Sequence, residues 1–498
     1  ISIKNSKALQ FALLLLAFFV LSALITPSES NYLWRLPPLL SALPTLINDA
    51  VQFIMFDWMP IQVYDPSIEE FEEKALFREI TRSISNGFLF VITFVREIFL
   101  GGPKTIVAFT SWDYVSENSW ANWPALPWTV VSGWAIVLGF KLQGIRLALL
   151  AALSTTYIGV FGQWEPSMQT LSFVLIAAPV SVLLGLVLGI WGYKNKLVET
   201  ALNPLLNVAQ TMPHYSYLVP VIVLFGVGDQ AAAIATIFFA TPPMVRLTLL
   251  GLKNIPPEIV DAGMMNGCTQ YQLLRKVQIP TARRDILIGV NQVVMQCLAM
   301  TVIASFIGAQ GLGSNLMIAL NSLKIGSGLE IGICIVLIAV TLDKMSLAWA
   351  NKQIDYFSDK SFWDRHKYLI ICAMILVIGI FFAYLGKSFF KENFNYLYIV
   401  PHNKGITTAP FWQAAVDWIW DTFFFSLKSF NEFLIINILV PMKEAYLGMP
   451  VAATFLLVMG TAYILAGIRS AFIVAGFLLF IAFSEYWDRA LITAYMTS

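Results

Sequence analysis

Apolar residues fall in long unbroken blocks along this chain, and polar residues gather between them. The blocks lie near 8–25, 126–142, 145–162, 170–193, 200–226, 230–249, 286–308, 328–349, 368–386, 449–466 and 468–484. Blocks of this length, apolar all round and without two-residue alternation, predict membrane-spanning α-helices. The fold class expected is therefore an all-α polytopic membrane protein. Longer polar intervals interrupt the rhythm before 126, at 250–285 and before 449.

Composition agrees with that pattern. The chain is 58% hydrophobic and 12% charged, with mean hydropathy +0.72, far from a soluble globular composition. A net charge of +1 gives nucleic acid no footing. The positions of the charges carry more. Lys4, Lys7, Lys141, Arg146, Lys194, Lys196, Arg246, Lys253, Arg275, Lys276, Arg283, Arg284, Lys344, Lys352, Lys360, Arg365 and Lys367 all fall on one side if every block crosses once. The positive-inside rule makes that side cytoplasmic, with the 250–285 loop on it. Cys268, Cys297, Cys334 and Cys372 show no metal-ligand spacing, so neither a disulfide framework nor a metal site is predicted.

The first block, short and preceded by basic residues, reads as an uncleaved anchor rather than a signal peptide. Residues 29–125 then lie outside, carrying Glu69, Glu70, Glu72 and Glu73 and a tryptophan-rich end with Trp112, Trp120, Trp123 and Trp128. Those tryptophans read as membrane-interface markers.

Residues 127–170 align without a gap on 450–493, at a constant offset from Pro127 to Pro450. Gly144-Ile145-Arg146 falls on Gly467-Ile468-Arg469, Trp164 on Trp487 and Thr170 on Thr493. Aliphatic matches between membrane segments are cheap, whereas Pro, Gly-Ile-Arg and Trp in one register point to an internal repeat. The 368–386 block likewise repeats the first, followed by an outer Trp/Phe-rich segment at 412–447. An even number of blocks separates the two starts, so the repeat is parallel. The organisation expected is an anchor and outer segment (1–125), a membrane domain (126–365) with its loop at 250–285, and the start of a second, truncated unit (366–498). The natural chain is expected to continue past Ser498 with a second copy of the core.

Within the loop, Pro256-Pro257-Glu258 reads as a helix start with an acid at the positive dipole end. Gly267 can break that helix. A second short helix over about 269–277 puts Tyr271, Leu274 and Val277 on one side, beside Arg275 and Lys276, and Pro280 ends it. On physical grounds two readings stand side by side: a knob offered to a cytoplasmic partner, or an interfacial hairpin that only connects two spans.

The segment resembles the signature loop of the membrane subunits of binding-protein-dependent ABC importers. That pattern runs acidic, Ala, small, three of any kind, Gly, nine of any kind, Ile or Val, one more, an aliphatic and Pro. Asp261, Ala262, Gly263, Gly267, Val277, Ile279 and Pro280 meet every position, with Asp261 where Glu is commoner. The stretch from about 125 to 350 is similar to the glycine betaine and proline betaine branch, through LLNVAQTMPHYSYLVPVIVLFGVGDQ, IATIFFATPPMVRLT, KVQIP and GVNQVVMQCLAMTVIASFIGAQGLG. The resemblance implies a type I importer permease core of five helices at about 170–349 in a prokaryotic inner membrane. It implies a coupling role for Glu258, Asp261, Ala262, Gly263, Gly267, Tyr271, Leu274, Val277, Ile279 and Pro280. It also implies a separate cytoplasmic ABC ATPase subunit that holds ATP and magnesium, and a separate extracytoplasmic substrate-binding protein. The extra outer segments and the second partial unit go beyond a single-unit permease and suggest a fused tandem form.

No ATPase machinery is visible in the chain itself. Gly386-Lys387-Ser388 lacks the earlier glycine of a phosphate loop, Phe381 standing in its place. His214, His366 and His402 have no nucleophile or carboxylate at suggestive spacing, so an enzyme is not expected. Ionisable residues are scarce at the centres of the blocks, which disfavours an ion-coupled carrier or channel, the competing reading. Gln210, Thr211, Asn291, Gln292, Gln296, Thr301 and Ser305 do enter the blocks. Such residues often bond a neighbouring helix and nothing more. The family resemblance instead sets Gln210, Thr211, Pro213, Asn291, Gln292, Gln296, Met300 and Ser305 along a translocation path for a methylated ammonium. Glycine betaine, proline betaine, trimethylamine N-oxide, choline and carnitine are the substrates this leaves open.

Overall fold

The computed structural model describes residues 7–25, 27, 32–36, 43–53, 63–65, 70–72, 76–100, 126–351, 362–389, 406–484 and 486–498. In chain order the elements are α1 (Lys7–Leu24), α2 (Leu43–Gln52), β1 (Val63–Asp65) paired antiparallel with β2 (Glu70–Glu72), α3 (Leu76–Leu100), α4 (Trp128–Gln143), α5 (Ile145–Val160), α6 (Trp164–Lys194), α7 (Lys196–Thr211), α8 (His214–Phe225), α9 (Asp229–Lys253), α10 (Pro257–Met265), α11 (270–281), α12 (Arg283–Ala304), α13 (Leu312–Asn321), α14 (Ile325–Asn351), α15 (Phe362–Phe389), α16 (Ala409–Leu447), α17 (Val451–Ala466), α18 (Ile468–Phe483) and α19 (Trp487–Thr497). They form two compact units, residues 76–418 and residues 1–75 with 419–498. Among the described residues six helices are long and apolar enough to cross a membrane.

In the larger unit the core gathers around α9, whose Ala231, Ala232, Ala233, Ala235 and Ala240 are wholly buried. Small residues let its neighbours come close. A Cβ on Gly185 of α6 would lie 2.4 Å from Met244 Cγ, and one on Gly189 would lie 2.6 Å from Thr248 Cβ. Gly289 of α12 meets Met244 Sδ in the same way at 2.8 Å. Glycines one turn apart therefore set α6 and α9 nearly in contact.

The block at 200–226 is not one helix. Met212 takes an extended backbone (φ −63, ψ 135) between α7 and α8, the conformation that a following proline favours. Pro213 also brings no N–H with which to continue α7. The charged and amide side chains Lys196, Glu199, Asn203 and Asn207 recur along α7, and Glu199 and Asn207 bond Lys253 and Arg246 of α9.

Sequence patterning also misses α3. It is long and apolar enough to span, its Ile92 is wholly buried in the main core, and its described polar bonds reach one end of the bundle. Ser85 Oγ donates to the Phe225 carbonyl at 2.9 Å, Arg96 pairs with Asp229, and the Leu126 N–H donates to the Ile98 carbonyl at 2.9 Å. Phe225 ends α8, Asp229 opens α9 and Leu126 precedes α4, so these three bonds tie α3 to the outer ends of the core helices. The Trp/Phe-rich segment 412–447 is likewise helical, within α16.

The repeat is present in the local geometry of each copy. Pro127 and Pro450 open α4 and α17 with φ/ψ of −54/138 and −64/142, and Gly144 and Gly467 break each hairpin at φ 79 and φ 84. Each hairpin arm has 16 residues, about 24 Å of helix and short of the roughly 30 Å hydrocarbon layer. The blocks at 126–142 and 145–162 thus form a hairpin of short helices and not two full-length spans. Trp128 lies edge-on to Trp164, with centroids 6.0 Å apart. Trp112, Trp120, Trp123, Glu69, Glu73, Lys4, Lys352, Lys360 and His402 lie outside the described residues.

Candidate functional site

The 250–285 loop folds as helix, glycine, helix. Pro256 precedes α10, and Glu258 sits in its first turn. Gly267 then takes φ 75 with open space around it, a left-handed conformation that costs an L side chain about 1–2 kcal/mol. Thr269 and Gln272 form a capping box: Thr269 Oγ1 accepts from Gln272 N–H at 3.3 Å, and Gln272 Oε1 accepts from Thr269 N–H at 3.0 Å. A Thr followed three residues later by Gln is a helix-start signature in its own right, and the apolar patterning alone passes over it.

Pro280 does not end the second helix. Residues 273–278 form a π turn, in which the Ile279 N–H bonds the Leu274 carbonyl five residues back. Pro280 lacks an N–H and crowds the carbonyl four residues before it, and a wider turn accommodates this. The same device precedes Pro441, over Ile435–Leu439. The wider turn also rotates the faces. Leu273, Leu274 and Gln278 are buried while Val277 is half-buried and Tyr271 is 64% exposed, so Tyr271 does not share the face of Leu274.

Besides the burial of Ile255, Leu274 and Ala282 in the main core, two specific contacts hold the loop. Gly263 packs α10 on α11, since a Cβ there would lie 2.6 Å from Leu273 Cδ1. Gln278 Nε2 donates to Tyr193 Oη at 3.0 Å, tying α11 to the end of α6. Exposed on it are Glu258, Asp261, Ala262, Gly267, Pro280, the cations Arg275 and Lys276, and an apolar knob of Ile259, Met264, Met265 and Tyr271, with Met265 88% exposed; Ile279 is half-buried.

The polar residues of the spans separate into two groups. Asn291 Nδ2 donates to Asp343 Oδ1 on α14 at 3.0 Å, Ser305 Oγ donates to the Val302 carbonyl at 2.6 Å, and Thr301 Oγ1 to the Leu298 carbonyl at 2.7 Å. Thr211 Oγ1 donates within α7. Gln292 is exposed and Gln296 half-exposed on one face of α12, whereas Met300, expected beside them, is 0% exposed in the core. At 100° per residue Ala299 continues the Gln292 face and Met300 turns away from it. Gln210, Thr211 and Pro213 are exposed at the α7–α8 break.

One buried carboxylate is not singled out by sequence patterning. Glu330 on α14 is 3% exposed. Its Oε2 accepts from Thr407 Oγ1 (2.8 Å), Thr408 N–H (2.5 Å), Thr408 Oγ1 (2.8 Å) and Ala409 N–H (2.9 Å), and Gln163 Nε2 donates to Oε1 at 3.0 Å. It satisfies the free N–H groups that open α16. A Glu beside the outer end of an apolar block is the signal that could have found it.

Residues 181–353 match the family described as "Binding-protein-dependent transport system inner membrane component". The chain is 57% identical over 465 residues to the trimethylamine N-oxide transport system permease protein TmoV of Pelagibacter ubique, a match over 93% of this chain and 65% of that relative, so it spans a little under two thirds of that relative's length. It is 40% identical over 223 residues to the glycine betaine transport system permease protein OpuAB of Bacillus subtilis, covering 45% of this chain and 78% of that relative. It is 32% identical over 296 residues to the glycine betaine/proline betaine transport system permease protein ProW of Escherichia coli, covering 59% of this chain and 82% of that relative. Matches of that extent, on a predominantly helical chain with six helices suited to crossing a membrane among its described residues, make this protein a member of the binding-protein-dependent transport system inner membrane components, the permeases of ABC importers.

Proposed function

We propose that this chain is the translocation subunit of an ATP-driven importer for small methylated-ammonium zwitterions, with trimethylamine N-oxide first among them and glycine betaine next. The observation that carries the reading is the 57% identity to a trimethylamine N-oxide permease, extending over 93% of this chain and so well beyond the family's core. The chemistry is compatible. Both compounds bear a methylated cation and a compensating negative oxygen, and a path of amides and methionines with few fixed charges passes such a solute without trapping it.

On this reading the exposed knob of the 250–285 loop docks in a separate cytoplasmic ATPase that binds ATP and magnesium, and a separate extracytoplasmic protein delivers the substrate. Support for the docking comes from the exposure of Ile259, Met264, Met265 and Tyr271 on a loop whose other face is buried, and an exposed apolar cluster on a polar loop marks an interaction surface. The test is ATP-dependent uptake of radiolabelled trimethylamine N-oxide and glycine betaine into vesicles carrying the whole transporter with its ATPase and binding protein. Uptake that follows an ion gradient and persists without the ATPase subunit would replace this reading with an ion-coupled carrier.

A further inference from the structure

Along α12 one stripe is left uncovered by the rest of its unit. Gln292, Met295 and Ala299 recur at intervals that keep one side of the helix, Phe306 follows in the 3-10 turn over 305–307, and all four are exposed, whereas Val293, Cys297, Met300 and Ala304 between them are buried. Gln292 lies near the middle of this 22-residue helix. An amide at that depth facing lipid tails has nothing to bond and is costly there. A helix face that carries Gln292 at that depth suits an aqueous path better than hydrocarbon.

Aromatic residues gather at the same place, and they divide into two kinds. Phe239 packs between His214 (centroids 4.3 Å) and Tyr217 (5.9 Å), and Tyr217 Oη donates to the Ala209 carbonyl, so those three brace the α7–α8 break. Tyr215 and Phe306 do not turn inward. Their rings meet edge to face at 5.4 Å and 75°, yet Tyr215 is 53% and Phe306 56% exposed. A pair of rings at right angles offers a cation one face and leaves the other ring to close the corner. Phe306 also ends the Gln292 stripe, so amide, thioether and aromatic surface follow one another along a single path.

We infer that Tyr215 and Phe306 form a cation–π way-station for the methylated ammonium group inside the permease. The inference rests on the translocation reading above. A trimethylammonium head leaving water loses hydration, and the electron-rich ring faces replace part of it without a fixed negative charge that would hold the solute. The station acts on the rate of passage, and the affinity for substrate is set by the delivering protein.

The whole transporter, with ATPase and binding protein, tests this in vesicles with trimethylamine N-oxide and glycine betaine as probes. Tyr215→Leu and Phe306→Leu should each lower maximal uptake about tenfold at unchanged KM, and Tyr215→Phe and Phe306→Tyr should restore most of it. Replacing Phe306 by phenylalanines with one, two and three ring fluorines should lower uptake stepwise, because fluorine drains the ring face while keeping its shape. Wild-type uptake by the leucine variants would overturn the inference. So would loss in the leucine variants with a flat fluorine series, which would make the pair a packing contact for another permease unit. Failure of the wild-type transporter to take up either probe with ATP would overturn the translocation reading itself, and this inference with it.

Discussion

Trp134 Nε1 donates to the carbonyl of Cys372 at 2.9 Å, joining α4 to α15 across most of the larger unit's sequence. The contact is close along its length. A Cβ on Gly379 would lie 2.2 Å from Val130 Cγ2, and one on Gly133 would lie 3.1 Å from Ile375 Cγ2. In the smaller unit α1 packs on α17 in the same manner, with Leu14 Cδ1 2.4 Å from a Cβ on Gly460. The anchor helices are thus exchanged: α15, which precedes the second hairpin in the chain, packs on the first, and α1, which precedes the first, packs on the second. This is why the smaller unit is assembled from both ends of the sequence.

Because van der Waals contact at Gly379 leaves no room for a side chain, Gly379→Leu should destabilise the protein by about 1–3 kcal/mol through overpacking. Gly332 on α14 faces open space, and Gly332→Leu should change stability by no more than about 0.5 kcal/mol. Thermal unfolding of the two variants in detergent separates them. Equal midpoints would mean that α15 is not held against α4.

Much of this architecture is legible in the amino-acid sequence. The apolar blocks mark the helices because a membrane span has to be apolar all round, and Gly144 and Gly467 stand out in matching positions. The exchange of anchors is not legible, since apolar helices carry no code for which neighbour they choose beyond small residues such as Gly379 and Gly460. The length of α3 is hidden by Arg82, Arg96 and Glu97, which break its apolar run yet serve the bundle end, where Arg96 meets Asp229 and Gln310. In the loop, spacing locates the motif positions but assumes a regular helical period, which the π turn over 273–278 breaks, and Tyr271 is exposed where Leu274 is buried.

At Gly267 the constraint is backbone conformation and not space. Gly267→Asn should be tolerated, since Asn visits the left-handed region readily, whereas Gly267→Val should cost about 1–2 kcal/mol locally and misdirect α11 relative to α10. The expected outcome is substrate-stimulated ATPase activity near wild type in the Asn variant and largely lost in the Val variant, with equal membrane insertion. Full stimulation in Gly267→Val would remove this loop from coupling.

Gln278 carries the one side-chain bond described between α11 and α6. Tyr193→Phe removes the acceptor and leaves the buried amide of Gln278 unpaired, at a cost of about 1–3 kcal/mol. Backbone amides over 257–281 should then exchange with deuterium at least about fivefold faster, while α9 keeps its protection. Unchanged exchange over the loop would show that its apolar packing, Gly263 against Leu273 included, fixes it without this bond.

The exposed face of α12 offers the sharpest test of a charge-free path. Gln292 projects from the middle of the helix into space that no neighbour within its unit fills, and Gln296 lies one turn on along the same side with its Oε1 buried and unpaired. A lysine at either position would set an ammonium beside the route proposed for a methylated cation, in surroundings where screening is weak. Gln292 is exposed and takes no part in burying the core around Met300, so Gln292→Lys should still assemble with its partners and co-purify with them. Uptake of trimethylamine N-oxide by that variant should fall at least about tenfold, through like-charge repulsion, whereas Gln292→Met, which keeps the length without the charge, should stay within about threefold of wild type. Equal uptake by Gln292→Lys and wild type would mean that this face turns toward a neighbouring helix, and that the amides on α12 bond across an interface as Asn291 does with Asp343.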